Sequence, residues 1–146
     1  MTQATVECLV PAGNQLGESP IWCERRSRLY WVDSRAPAIC WLEPSSGARG
    51  QVSTPEKVGS IALTGDHRLL AAMETGIHLA DPDAGTFELL TAVELPAGHR
   101  FNDGRTDRSG RFWSGTMNDT GRTPTGELFR CDPDRSVHRI LDDLIV

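Results

Sequence analysis

The sequence predicts an all-β fold built as β-propeller blades, and three observations carry that prediction. Helical periodicity is absent. Instead, apolar runs of about 4 to 8 residues recur between Gly, Pro, Asp or Ser. A polar turn followed by a strand then repeats: Ser27-Arg28-Leu29-Tyr30-Trp31-Val32-Asp33, Asp66-His67-Arg68-Leu69-Leu70-Ala71-Ala72 and Ser109-Gly110-Arg111-Phe112-Trp113-Ser114-Gly115. Its arginines stand at 28, 68 and 111, which are steps of 40 and 43 residues. Finally, an acid-Pro-x-x-small turn recurs at 43, 81 and 132. Proline presets such a turn and the acidic side chain caps it. A period near 40 with four short strands per unit is the pattern of a propeller blade. A β-sandwich with recurring loops is the competing arrangement, and three matched turn positions count against it.

Taken in order, Thr5-Val6-Glu7-Cys8-Leu9-Val10 is a first candidate strand, closed by Pro11. The strand before each Arg-containing turn is predicted to be the innermost of its blade. These are Glu18 to Trp22, Val58 to Leu63 and Arg100 to Arg105. Second strands run through Leu29–Asp33, Leu69–Ala72 and Phe112–Gly115, and third strands lead into the acid-Pro turns at Glu43, Asp81 and Asp132. Outer strands follow at Gly50–Ser53, Thr86–Leu90 and Ser136–Leu141. The Thr120–Gly126 loop interrupts the third unit. Three blades are counted, whereas propellers close with about 4–8. Residues 1–146 are therefore expected to be one partial propeller domain, roughly half of a longer one.

The bulk properties exclude several classes. With 38% hydrophobic and 24% charged residues the chain is globular, not disordered. Its formal net charge of −5 is spread over interspersed signs, so no basic stripe points to nucleic acid, and an anionic membrane is disfavoured. Cys8, Cys23, Cys40 and Cys131 form no C-x-x-C pair, and a reduced, cytoplasmic setting is expected. The first residues show no signal-peptide pattern, and no apolar run reaches the ~20 residues of a membrane span. Nor is there a G-x-S-x-G elbow or a P-loop.

The stretch Arg100-Phe101-Asn102-Asp103-Gly104 is the most informative. In an extended chain Arg100 and Asn102 share one face and Phe101 and Asp103 the other. A cation and an amide on an inner strand then point together into the channel. The residues alone leave two readings for them: holders of a ligand's oxygens, or a salt bridge across blades. Glu18, in Gly17-Glu18-Ser19-Pro20, is either a ligand for a hard divalent ion or a solvated turn glutamate. Asn118 and Asp119 begin the third-unit loop, and either shape access to the mouth or form an Asx-turn. Trp22, Trp31, Trp41 and Trp113 read as packing aromatics, and the four histidines as structural or solvent-facing.

Gly17-Glu18-Ser19-Pro20-Ile21-Trp22, Arg100 to Gly104 and Gly110 to Met117 together resemble the regucalcin/gluconolactonase family of sugar lactone hydrolases. The resemblance implies a six-bladed propeller, of which this chain matches the N-terminal half. It implies a divalent cofactor, Ca²⁺ or Zn²⁺, with Mg²⁺ or Mn²⁺ also suited to oxygen ligands. Glu18 matches the glutamate metal ligand, and Arg100 and Asn102 match the residues holding the substrate. The family's further acidic substrate contact has Asp119 as its nearest candidate here, with Thr120 at the matching position. The remaining ligands, an asparagine and an aspartate that is also the general base, are expected beyond Val146. The function implied is metal-dependent hydrolysis of a sugar-derived 1,4- or 1,5-lactone, with the 146-residue chain alone expected to be inactive. Two rivals are an organophosphate or aryl-ester hydrolase on the same scaffold and a non-catalytic half-propeller that self-associates through exposed strand edges.

Overall fold

The computed structural model describes residues 5–121 and 123–145. Met1–Ala4, Val146 and Arg122 of the third-unit loop lie outside them. Twelve strands among the described residues form three four-stranded antiparallel sheets in sequence order. The first contains β1 (Gly17–Cys23), β2 (Arg28–Asp33), β3 (Ala38–Glu43) and β4 (Ala48–Ser53). The second contains β5 (Val58–Leu63), β6 (Leu69–Met73), β7 (Gly76–Asp81) and β8 (Thr86–Ala92). The third contains β9 (His99–Thr106), β10 (Phe112–Asn118), β11 (Gly126–Cys131) and β12 (Val137–Leu144). Among the described residues a single 3-10 turn spans Glu24–Arg26. These are three blades of a β-propeller, with the predicted inner strands in place as β1, β5 and β9.

Each blade grades from buried to exposed. β5 is buried at five of six positions, whereas the outer strands β4, β8 and β12 carry mostly exposed residues. An inner strand packs on both faces and so needs small or apolar residues throughout. Outer strands face water and tolerate charge. The period of two splits the packing between neighbours. Leu69, Ala71 and Met73 of β6 join Tyr30, Val32 and Ile39 in the core between the first two blades. Ala72 joins Phe101, Phe112 and Phe129 in the core between the second and third. Phe101 and Phe129 meet edge to face at 5.6 Å, the preferred aromatic geometry.

The acid-Pro turns form as predicted. Gly47 N donates to Glu43 O at 2.9 Å and Gly85 N to Asp81 O at 2.8 Å, and Asp81 Oδ1 caps Asp83 N and Ala84 N. One expectation fails. Thr5–Val10 is not a strand: Val6 and Leu9 are 94% and 67% exposed, and the chain turns at Val10, whose carbonyl accepts from Ala12 N. A strand is held by ladder bonds to a neighbour. Among the described residues this segment has none, however suitable its apolar residues.

Candidate functional site

The inner strands run side by side in the same direction, so their N-terminal ends and the β2–β3, β6–β7 and β10–β11 connections share one rim. Close backbone approach sets this arrangement. A Cβ on Gly59 would lie 2.2 Å from Phe101 O, and one on Gly104 would lie 2.6 Å from Ser60 Oγ. Glycine is required at both because β5 and β9 touch there. Ser60 Oγ bonds Ser114 Oγ at 3.0 Å beside this contact, and Ile61 N donates to Ser19 Oγ at 3.1 Å to join β5 to β1.

Every inner strand also carries a β-bulge near the rim. In β1 the register passes from Glu18↔Val32 to Ile21↔Tyr30, leaving Ser19 and Pro20 opposite Trp31 alone. In β5 it passes from Val58↔Met73 to Ser60↔Ala72 around Gly59. In β9 it passes from Phe101↔Thr116 to Gly104↔Ser114, leaving Asn102 and Asp103 opposite Gly115. An extra residue bends the strand and re-aims its side chains. Glu18 and Asn102 stand directly beside these bends.

Arg100 and Asn102 point the same way, as expected. Arg100 Nη1 donates to Asn102 Oδ1 at 3.1 Å and to Phe101 O at 3.0 Å, and Nε donates to Asp119 Oδ1 at 3.1 Å. The arginine is 4% exposed. Among the described residues, Arg100 Nη2 and the Asn102 amide nitrogen make no hydrogen bond, so two donors remain unspent. Arg100 pairs within its own blade, since Asp119 follows β10 directly, and the interblade salt bridge weighed for it does not form. Phe101 is buried in the core as expected. Asp103 is exposed and caps Gly104 N at 2.9 Å, because the bulge ends the alternation that would have placed it beside Phe101.

Asp119 has both oxygens engaged. Lys57 Nζ donates to Oδ2 at 3.0 Å, and Asp119 N reaches Gly98 O at 2.8 Å. Lys57, then Arg100, hold its carboxyl below the ordinary carboxylate range, against the opposing push of burial. The Asx-turn expected nearby belongs to Asn118, whose Oδ1 accepts from Thr120 N at 2.9 Å and Thr120 Oγ1 at 2.7 Å. Thr120 is exposed with its hydroxyl spent in that turn, while Asp119 sits against Arg100.

Glu18 is half-buried, and its Oε2 accepts from Ser34 Oγ at 3.0 Å. Among the described residues it has no cationic partner. By contrast, Asp119 and Glu74 face Lys57, and Glu56 Oε1 lies 3.8 Å from His78 Nε2. An unpaired carboxylate on the rim suits one position of a hard divalent ion. No group of three or more His, Cys, Asp or Glu able to hold a metal gathers among the described residues. The donor set fits such an ion as a single oxygen ligand.

The contacts of Ser19, Lys57 and Glu74 are not part of what the sequence predicts. Pro20 was the available signal for the first, because proline inside a strand marks an edge or a bulge. Lys57 and Glu74 gain meaning only from partners in other strands. Trp41 packs on the first core as expected, with Arg28 stacked on it at 4.3 Å, whereas Trp113 Nε1 donates to Asp107 at 3.0 Å and Trp31 Nε1 to Asn14 at 2.7 Å. Trp22 is 45% exposed. All four cysteines are free thiols. No helix among the described residues is long and apolar enough to cross a membrane.

Comparison with known proteins shows the family of the chain. The family model described as SMP-30/gluconolactonase/LRE-like region matches residues 16–146. The chain is 34% identical over 143 residues to 6-deoxy-6-sulfogluconolactonase of Pseudomonas putida, covering 97% of this chain and 49% of that protein. It is 34% identical to regucalcin of Xenopus laevis, covering 97% and 50%. It is also 34% identical to L-arabinolactonase of Azospirillum brasilense, covering 94% and 46%. Among solved structures, the calcium-binding protein regucalcin of Agrobacterium tumefaciens superposes with a TM-score of 0.85 at 28% identity, covering 92% of this chain and 46% of that one. The chain thus spans about half the length of the curated relatives it matches.

Proposed function

The chain belongs to the SMP-30/gluconolactonase/LRE-like family, and from that premise we propose that it carries the substrate-holding part of a metal-dependent sugar lactone hydrolase. The observation that carries this reading is the pair of unspent donors, Arg100 Nη2 and the Asn102 amide, beside a rim bulge. A sugar lactone presents hydroxyls and a ring oxygen, all hydrogen-bond acceptors, and two fixed donors orient such a molecule. The relatives' names, 6-deoxy-6-sulfogluconolactonase and L-arabinolactonase, support the same substrate class.

In this reading Arg100 and Asn102 supply positioning, not bond-making. Burial and three hydrogen bonds fix the guanidinium before substrate arrives, so little side-chain entropy is lost on binding. Asp119 neutralises the buried arginine and fixes its orientation, and in this proposal it also borders the bound sugar with Thr120. Glu18 contributes one oxygen ligand to a divalent ion, Ca²⁺ or Zn²⁺. When bound, that ion polarises the lactone carbonyl and acidifies a water. The remaining ligands and the general base are assigned to residues outside these three blades, so the 146-residue chain alone is proposed to lack turnover. A cytoplasmic location is part of the same proposal and rests on the free thiols.

The test uses the protein at the relatives' full length, assayed on D-glucono-1,5-lactone and on phenyl acetate. The lactone is expected to be preferred by about 100-fold or more in kcat/KM, about 2.7 kcal/mol of transition-state discrimination. Preference for the aryl ester would assign a different hydrolase to the scaffold. Glu18→Gln removes one anionic ligand and is expected to weaken the divalent-ion dependence of the rate about tenfold or more. A metal titration curve that does not move would free Glu18 from that role.

A further inference from the structure

We infer that Lys57 is a positioning residue of the site, a latch that holds the β10–β11 rim of the third blade to the second and thereby fixes Arg100. Lys57 immediately precedes β5 and lies two residues before Gly59, the point where β5 rests on the backbone of Phe101 and Asn102. Its ammonium donates to Asp119 Oδ2 at 3.0 Å, and its backbone N–H donates to Glu74 Oε2 at 3.2 Å. Glu74, in the β6–β7 turn, also lies 3.9 Å from Nζ through Oε1. Lys57 is therefore anchored at two points of its own blade and reaches across to the next.

The consequence passes through Asp119. That carboxylate has two oxygens, one on Lys57 Nζ and one on Arg100 Nε. If Oδ2 loses its partner, the carboxylate can rotate toward water and leave Arg100 Nε. The guanidinium, 5% exposed in its side chain, makes one of its three hydrogen bonds to that carboxylate, and that bond alone holds Nε. The Lys57 side chain is 38% exposed, and ion pairs so open to solvent contribute little to stability. Its contribution is accordingly to geometry at the donors that face substrate. This inference rests on the lactonase reading only for its kinetic consequence; the structural coupling stands independently.

The experiment compares Lys57→Met, which keeps the apolar stem, with Lys57→Arg, which restores the charge, in the full-length protein. The Arg100 Nε–H resonance, assigned by its loss in Arg100→Lys, reads the coupling directly. Lys57→Met is expected to accelerate its exchange with water by about tenfold or more, and Lys57→Arg to retain most of its protection. On D-glucono-1,5-lactone, Lys57→Met is expected to raise KM about tenfold with kcat within about twofold, and Lys57→Arg to recover most of the loss. The melting temperature of both variants is expected to stay within about 3 °C of the parent. An Arg100 resonance and a KM that ignore Lys57→Met would overturn the inference. So would an unrescued loss of kcat, KM and melting temperature together, which would make Lys57 merely structural. If the parent protein hydrolyses no lactone while the Arg100 resonance still responds to Lys57, the functional proposal fails and the latch stands.

Discussion

At the scale of single residues, Arg100 and Asp119 decide the character of the site. The guanidinium cannot shed its proton, so its burial requires an anion, and Asp119 supplies one at 3.1 Å. The pairing has a pH signature. Lys57 and Arg100 depress the Asp119 carboxyl, so its folded value lies below the unfolded value of about 3.9. A group of this kind stabilises the fold above its unfolded pKa and loses that contribution as pH falls through the folded one. Asp119 is itself exposed, so after solvent screening Asp119→Asn is expected to destabilise by about 1 kcal/mol or less near neutral pH. The gap to the parent should close as pH is lowered below about 4. Urea unfolding at a series of pH values checks this; a gap independent of pH would mean that the carboxylate charge is not what matters. Arg100 and Asn102 were legible in the sequence because a polar pair on an inner strand lacks the apolar face that packing demands. Lys57 was not, since its partner Asp119 lies 62 positions away and no local pattern encodes that meeting.

At the scale of elements, the bulges and the glycines between strands position the site. Asn102 sits on the bulge of β9, and Gly59 of β5 lies against the same backbone. Gly59→Ala places a methyl 2.2 Å from Phe101 O, a backbone atom that cannot swing aside. The two inner strands must separate, at an expected cost of about 1–3 kcal/mol or more. Gly65→Ala meets nothing within 4 Å and is expected to change stability by less than about 0.5 kcal/mol. Thermal denaturation of the pair checks the contrast; equal midpoints would refute close approach of β5 and β9. Strand order and turn positions were readable because Pro, Gly and Asp act locally. The bulges were largely hidden, because register is a property of two strands and only Pro20 betrays one of them. Thr5–Val10 departs from its expected strand for the same reason: its residues suit a strand, but pairing is decided elsewhere in the chain.

At the scale of the molecule, three blades pack as a continuous arc. Two apolar cores join them, and Arg28 of β2 reaches Asp83 of the second blade at 2.9 Å, with Arg26 beside it. The period of 40 and 43 residues made this architecture legible, because each blade repeats the same turn chemistry. The candidate site was legible only in part: Glu18, Arg100 and Asn102 are its proposed members, and no cluster of metal ligands gathers among the described residues. The central claim is that the Arg100–Asn102 pair holds a polyhydroxylated lactone. The kcat/KM of Arg100→Ala on D-glucono-1,5-lactone, in the full-length protein and against its parent, tests it most directly. The account predicts a fall of about 100-fold or more with the fold retained. A value within about twofold of the parent would contradict it.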